Sequence, residues 1–297
     1  MTCEIMAALP CRGHDPAMHA TASSSRPAVG ALLRQWRQRR RLSQLDLACE
    51  AQVSTRHLSC IETGRASPSR EMVMHLDERL DVPLRDRNLL LASAGYAPLY
   101  RERPLDDPAL AAARRAVEAV LRGHEPYPAL AVDRHWTLLA HNAGVPPLLA
   151  GCADARLLDP PVNVLRLSLH PGGLAPRIVN LGAWREHLLA RLARQVAVSA
   201  DPTLAALLAE LRAYPGADAA HDAAAADPHA VAVPLQLATA AGVLSFISTT
   251  TVFGTPVDVT LAELALETFF PADERTAALL REGAASDARR PPGAGAP

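Results

Sequence analysis

The strongest constraint on the fold lies between Ser43 and Gly64, where two short helices follow each other closely. Ser43 is placed to cap the first helix and Ser54 the second, because a serine hydroxyl accepts a hydrogen bond from an amide of the first turn. Gly64 stops the second helix, in the position where a left-handed residue ends a helix. Two capped helices joined by so short a turn predict a helix-turn-helix, whose second helix presents side chains to a major groove.

Other short helices surround this pair. Apolar residues at helical spacing predict helices near 29–40, 69–80 and 84–94 in addition to the central two. Five short helices within so short a stretch predict a compact all-α domain over residues 28–100. The preceding residues 1–27 are rich in Pro, Ser and Ala, and they are expected to form a disordered extension.

The second half of the chain has a different hydrophobic period. Residues 101–126 contain an alanine-rich helix that is expected to act as a connector. Strands are predicted over 129–132, 137–141, 231–237, 243–253 and 265–270, and helices over 163–169, 183–198 and 201–214. Residues 127–280 are therefore predicted to form an α+β body with a small, mainly antiparallel sheet and helices on one side. Residues 281–297 are expected to form a disordered tail.

The charge of the chain is nearly balanced, with 30 basic and 31 acidic side chains. A formal net charge of -1 excludes a wholly basic nucleic-acid binder but not a basic patch on one domain. Residues 28–100 hold 11 arginines and 8 acidic residues, 11 − 8 = +3. The arginines of the first helix and its end are Arg34, Arg37, Arg39, Arg40 and Arg41. Taken alone, such a run is typical of a solvated helix face; beside a helix-turn-helix it predicts phosphate anchoring that weakens with salt.

The sequence contains none of the common catalytic signatures. The GxSxG, HExxH, GxGxxG and phosphate-loop patterns are all missing, and the histidines and cysteines show no metal-ligand spacing. We therefore expect no enzymatic activity, no metal site and no cofactor. The cysteines are scattered and odd in number, and no long uncharged apolar run occurs, so we expect a cytoplasmic protein without a membrane segment.

The all-α domain over residues 28–100, called the head from here on, resembles the phage-repressor-like (XRE, Cro/CI-type) family. The resemblance is carried by Ser43-Gln44, which opens one helix, and by Glu62-Thr63-Gly64, which closes the next. It implies that Gln44 lies at the phosphate backbone and that the start of the second helix faces the bases. An arginine there reads guanine O6 and N7, which contributes ~1–3 kcal/mol of discrimination. The predicted DNA contacts are Gln44, Ser54, Thr55, Arg56, Ser59 and Arg65, with Arg56 as the guanine-reading residue.

The head departs from the family pattern at one position. The turn position that the family usually fills with glycine holds Gln52. A residue with a side chain must either take an uncommon backbone geometry there or shift the turn.

Several segments downstream resemble the MmyB-like regulators, an XRE subfamily whose C-terminal ligand-binding domain has a PAS-like fold. Among them are Asp133-Arg134-His135-Trp136, Leu169-His170-Pro171 and Phe253-Gly254-Thr255-Pro256, whereas Val145-Pro146-Pro147 interrupts a helix that the family prefers. The resemblance implies ligand-gated control of transcription, with a fatty-acid-like molecule as one ligand class. Residue chemistry suggests two sets of ligand contacts: Arg166, His170 and Arg177 for a carboxylate, and Trp136, Trp184 and Phe246 for an apolar cavity.

The predicted architecture is therefore multidomain, an all-α helix-turn-helix domain followed by an α+β PAS-like domain. The predicted function is a sequence-specific DNA-binding transcriptional regulator that senses a small hydrophobic ligand. Its expected partners are a double-stranded DNA operator, a small-molecule effector and a second copy of the chain. The alternative is a protein-interaction or antitoxin-like module that a protein or peptide partner regulates.

Overall fold

The computed structural model describes residues 28–216 and 232–288. The predicted extension over 1–27, most of the loop after Tyr214 and the end of the predicted tail lie outside these residues. The head contains the five predicted helices: α1 Val29–Arg39, α2 Gln44–Glu50, α3 Thr55–Glu62, α4 Arg70–Arg79 and α5 Leu84–Ser93.

The caps of the central helix pair form as the sequence predicts. The Ser43 hydroxyl accepts from the Asp46 amide at 3.1 Å, and the Asp46 carboxylate accepts from the Ser43 amide at 2.8 Å. The Ser54 hydroxyl accepts from the His57 amide at 3.1 Å. Gly64 has a φ of 73°, so α3 ends at a left-handed glycine. These local interactions fix both ends of the turn that orients α3.

The head packs around a leucine-rich core in which α1 crosses α3. Leu33, Leu47, Leu58 and Ile61 are fully or almost fully buried at this crossing. The helices meet at Gly30, where an added Cβ would lie 2.2 Å from the carbonyl oxygen of Ile61. Glycine is therefore required by the close approach of the two backbones.

The body is built on one antiparallel sheet. Its strands are β1 Ala129–Val132, β2 Leu138–His141, β3 Leu235–Thr239, β4 Gly242–Val252 and β5 Ala265–Pro271. Their order is β2-β1-β5-β4-β3, which brings the first and last strands together at the centre. β3 begins later than predicted, because Pro234 has no amide to donate to a neighbouring strand. The PAS-like α+β fold predicted for the body is confirmed.

Seven further α-helices lie in the described residues after residue 100. They are α6 Ala111–Gly123, α7 Pro146–Leu149, α8 Val164–Leu169, α9 Leu181–Ser199, α10 Pro202–Ala213, α11 Val259–Ala262 and α12 Glu274–Ala288. Leu244 and Phe246 alternate along the inner face of β4 and pack in the same core as Leu192 of α9 and Leu211 of α10. This alternation places the principal core between the sheet and α8, α9 and α10.

The helix expected as a connector forms as α6, and it buries Val117 and Leu121 against β1 and β5, so it packs on the sheet. The end of the chain differs from the sequence prediction. α12 continues to Ala288, so the expectation of disorder from residue 281 is wrong for the part that is described. Thr276 anchors the start of α12, since its hydroxyl accepts from the Ser245 amide at 3.0 Å. The alanine-rich remainder then favours continued helix.

Candidate functional site

The outer face of α3 carries most of the predicted base-reading residues. Thr55 and Arg56 are exposed and Ser59 is half-buried, while Leu58 and Ile61 point into the core. The Arg56 side chain makes no ion pair within the described residues. Arg65 is exposed just beyond the end of the helix. The structure therefore brings these side chains to one surface, with the Arg56 guanidinium available to a ligand.

Ser54 and Gln44 have partners within the head. Ser54 uses its hydroxyl to cap α3. The Gln44 side-chain amide donates to Glu62 Oε2 at 2.7 Å, at the position where α2 begins. This hydrogen bond fixes the orientation of the Gln44 amide at the surface, where the resemblance to the repressor family expects a phosphate contact.

Glu62 is the centre of a buried polar cluster. Arg37 Nε donates to Glu62 Oε1 at 2.6 Å and Arg37 Nη2 to Oε2 at 2.8 Å, an ion pair that joins α1 to the end of α3. Burial acts to raise the pKa of Glu62, but the hydrogen bonds from Arg37 and Gln44 outweigh it and lower the pKa below its usual value. One carboxylate therefore serves both helix packing and the orientation of Gln44.

The turn between α2 and α3 keeps its geometry without glycine. Gln52 takes a φ of 52°, in the left-handed region. The expectation that a side chain here adopts an uncommon backbone conformation is confirmed. The hydrogen bond from the Val53 amide to the Ala48 carbonyl at 2.9 Å closes the turn.

The arginine run of α1 does not form one phosphate-facing surface. Arg37 is buried against Glu62. Arg40 donates to the carbonyl oxygens of Leu80 and Asp81, so it caps the end of α4. Arg39 lies over the ring of Trp36, 4.8 Å from its centroid. Of the run, Arg34 and Arg41 are exposed, so the prediction that the whole run anchors phosphates is corrected.

The body contains an apolar cavity of about 100 Å³ between the sheet and α7, α8 and α9. Leucine and aromatic side chains form most of its wall, among them Leu165, Leu167, Leu188 and Phe269. The polar groups on the wall are Ser168, Ser248, Arg191 and Glu267. An apolar enclosure with a few polar groups is the arrangement expected for a small-molecule site.

Two of the three predicted aromatic residues line this cavity. The Trp136 indole N–H donates to Gln195 Oε1 at 2.8 Å, and the Trp184 indole N–H donates to Ser168 Oγ at 3.0 Å. Phe246 is fully buried and does not itself line the cavity. Its ring contacts Phe269 edge-on with centroids 6.2 Å apart, so it supports the wall from behind.

The three predicted carboxylate anchors lie elsewhere. Arg166 makes two hydrogen bonds of 2.8 Å to Glu210 on the surface. The His170 ring accepts from the Gly172 amide at 2.9 Å and packs edge-on against Tyr214. Arg177 donates to the carbonyl oxygens of Leu148, Ala150 and Ala238. None of the three lines this cavity, and each already has local hydrogen-bond partners.

The charged groups at the cavity are Arg191 and Glu267, which the sequence prediction missed. Arg191 donates to both Glu267 oxygens, at 2.6 and 3.2 Å, and its guanidinium lies 4.5 Å from the centroid of the Trp136 ring. A signal for them exists in the sequence. Arg191 adjoins Leu188 and Leu192 on the buried face of α9, and Glu267 occupies the inward phase of β5 between Ala265 and Phe269. A charge at a buried phase requires a partner.

The outer wall of the cavity is the short helix α7. Leu148 and Leu149 line the cavity on one side and open surface grooves of about 790 and 880 Å³ on the other. Arg177 ties the end of α7 to β3 through its three carbonyl partners. α7 therefore separates the small cavity from two larger surface grooves.

Within 28–216 and 232–288, no helix has both the length and the apolar character needed to cross a membrane. The same residues contain no group of three or more His, Cys, Asp or Glu side chains placed to hold a metal ion.

A helix-turn-helix head joined to a PAS-like body with an apolar cavity defines a transcription regulator with a ligand-binding domain. Comparison with known families agrees: a helix-turn-helix domain matches residues 28–90, and the MmyB-like transcription regulator ligand binding domain matches residues 113–282. The chain belongs to the MmyB-like family. A search of curated proteins finds no match.

Proposed function

We propose that the protein is a sequence-specific regulator that binds operator DNA through α3 and that a small hydrophobic molecule in the body controls it. Two observations carry this proposal: Arg56 is exposed on α3 and makes no ion pair within the described residues, and the second domain holds an apolar cavity. We assign the body to sensing and not to catalysis. Binding to chromosomal DNA requires a cytoplasmic location.

On the DNA side, the proposed roles follow from exposure. Thr55, Arg56 and Ser59 contact base edges, and Gln44 and Arg65 contact phosphates. Ser54 caps the start of α3 and lies beside the DNA backbone in the proposed complex. One head covers a single half-site, so the proposed active species is a homodimer that reads two half-sites about one helical turn apart.

On the ligand side, the apolar wall suits an acyl chain. The cavity of about 100 Å³ is below the ~300–1,000 Å³ usual for small-molecule sites, so a long chain would have to displace α7. Arg191 is the cationic group on the wall, and a fatty acid would bring its carboxylate into competition with Glu267. We therefore propose a fatty-acid-like effector with Arg191 as the polar contact.

Replacing Arg56 with alanine tests the DNA assignment. The variant is expected to lose ~1–3 kcal/mol of discrimination at one base pair, because a bidentate guanine contact is removed. The melting temperature of the protein should stay unchanged, since Arg56 makes no ion pair within the described residues. Binding is measured by fluorescence anisotropy on duplexes selected in vitro with the wild-type protein.

The matched control is Arg115→Ala, which removes an exposed arginine from α6 in the body. It is expected to leave the preferred duplex and its affinity nearly unchanged. Equal behaviour of the two variants toward all duplexes would show that Arg56 does not read a base.

A substitution inside the cavity tests the ligand assignment. Ser248→Leu places a larger side chain on the inner face of β4, so the variant should bind dodecanoic acid at least tenfold more weakly. Thr251→Leu is the control, since Thr251 is exposed on the opposite face of the same strand. Calorimetric titration gives both affinities, and equal weakening in the two variants would place the ligand elsewhere.

Native mass spectrometry of freshly purified protein separates this function from the partner-regulated alternative. A co-purified small acid supports the sensor. A stoichiometric protein partner on a body without a small molecule would favour the interaction module.

A further inference from the structure

The polar connection between the head and the rest of the chain depends on one residue. Arg85, at the start of α5, donates to both oxygens of Glu102 at 2.7 and 2.5 Å and to both oxygens of Glu263 at 2.8 and 2.9 Å. Within the described residues, every hydrogen bond and ion pair from residues 28–100 to the remainder of the chain uses Arg85. Glu263, just after α11, is its partner in the body.

Glu263 also faces the loop between β1 and β2. Arg134 in this loop lies 3.6 Å from Glu263 and 3.5 Å from Asp201. The imidazole of the next residue, His135, bonds to Asp201 at 2.9 Å. The loop is therefore tied to Glu263, which pairs with Arg85, and to Asp201, which lines a groove together with Trp36 of the head.

The last residue of this loop segment, Trp136, reaches the wall of the cavity with its side chain. Trp136 follows His135 directly, and its ring lines the cavity beside Arg191. Trp136 has a φ of 66°, a left-handed conformation that costs a bulky residue ~1–3 kcal/mol. Asp133 holds the strained turn, because its Oδ1 accepts from the amides of His135 and Thr137 at 2.8 Å. Backbone strain of this kind persists only where the surrounding hydrogen bonds impose it, and it is found at switch regions.

A groove of about 370 Å³ lies where this loop meets the head. Its wall includes Trp36 and Arg39 of α1, Asp86 of α5, and Arg134 and Asp201 of the body. Trp36 thus shares the groove with Arg134, two residues from the cavity-lining Trp136. The protein holds three tryptophans, one in this groove and two at the cavity.

We propose that the Asp133–Trp136 turn couples the cavity to the head. A ligand that moves Trp136 would change the ion pair between Arg134 and Glu263 and thereby the position of Arg85. This inference rests on the proposed function, since it names how the ligand site regulates the DNA-binding head. Such coupling requires a two-state element that both sites bias, and the strained turn is the element that we assign to this role.

The test uses the full chain labelled with 5-fluorotryptophan, with the three fluorine resonances assigned from single Trp→Phe variants. In the wild type, dodecanoic acid is expected to shift the resonances of Trp136 and Trp184, which report binding, and of Trp36, which reports transmission. In Arg85→Gln the first two shifts should persist while the Trp36 shift falls at least threefold. Glu263→Gln should give the same result from the body side.

The matched control is Arg166→Gln, which breaks an arginine–glutamate pair of the same geometry away from the head. It should keep the wild-type response at all three positions. A Trp36 shift of equal size in the wild type, Arg85→Gln and Glu263→Gln would overturn the coupling.

A second measurement does not depend on the ligand class. Without any acid, Arg85→Gln should move the Trp136 resonance more than Arg166→Gln does, and an unmoved Trp136 would overturn the inference. If dodecanoic acid shifts neither Trp136 nor Trp184, the fatty-acid assignment of the proposed function fails, and this ligand-free comparison still decides the coupling.

Discussion

Glu62→Ala is expected to destabilise the head by ~3–5 kcal/mol, because it leaves the Arg37 guanidinium buried without its partner. It also removes the acceptor of the Gln44 side-chain amide. The unfolding midpoint in urea should therefore fall steeply, and the affinity for selected DNA should fall with it. Circular dichroism and anisotropy measure the two effects.

Glu78→Ala is the control, since Glu78 is exposed on α4 and the substitution removes the same charge. It is expected to change stability by less than ~0.5 kcal/mol. A similar loss in both variants would contradict the buried-pair argument.

The Arg37–Glu62 ion pair also makes the stability of the head depend on pH in the acidic range. Glu62 has a pKa below its usual value in the folded state, so the unfolded chain binds its proton more readily. The stabilisation is therefore present above the unfolded pKa and is lost as the pH falls through the folded pKa. Glu62→Ala should remove this part of the acid dependence of unfolding, and Glu78→Ala should keep it.

Gly30→Ala is the second change with a large expected effect. A methyl group at Gly30 would lie 2.2 Å from the Ile61 carbonyl oxygen and 2.9 Å from that of Glu62, so α1 and α3 would have to move apart. Overpacking of a backbone contact costs ~1–3 kcal/mol or more, and the shift would also strain the Arg37–Glu62 pair. Thermal unfolding should show a clear fall in the melting temperature.

Gly123→Ala provides the comparison, because Gly123 ends α6 with no atom within 4 Å of an added Cβ. That variant is expected to be neutral or slightly more stable. An unchanged melting temperature in Gly30→Ala would mean that the two helices are not held at this spacing.

The sequence predicts those features of the fold that depend on local chemistry. Ser43 and Ser54 cap helices through nearby amides, and Gly64 ends a helix through its own positive φ. The bounds of the helix pair can therefore be predicted from the sequence. The alternation of Leu244 and Phe246 likewise predicts the inner face of β4. The α6 position on the sheet is not local, because its burial depends on β1 and β5.

The candidate sites were harder to predict, because long-range pairing decides which charges remain free. Arg37 and Arg56 look equivalent in the sequence, yet Glu62 forms an ion pair with Arg37 and not with Arg56. Arg166 and Arg191 differ in the same way: one pairs with Glu210 on the surface and the other with Glu267 at the cavity. The left-handed φ of Trp136 has no signal in the sequence, since the surrounding hydrogen bonds impose it.

The position of Arg85 bears on the kind of control that the body can exert. The described hydrogen bonds and ion pairs to the body leave from α5, and none leaves from α3. These polar contacts therefore join the body to the head at α5 and leave the outer face of α3 exposed. In the dimer that we propose, we expect a ligand to change the distance and angle between the two α3 helices while each α3 stays open to solvent. A lone half-site would then be indifferent to the effector, and only a correctly spaced pair of half-sites would respond.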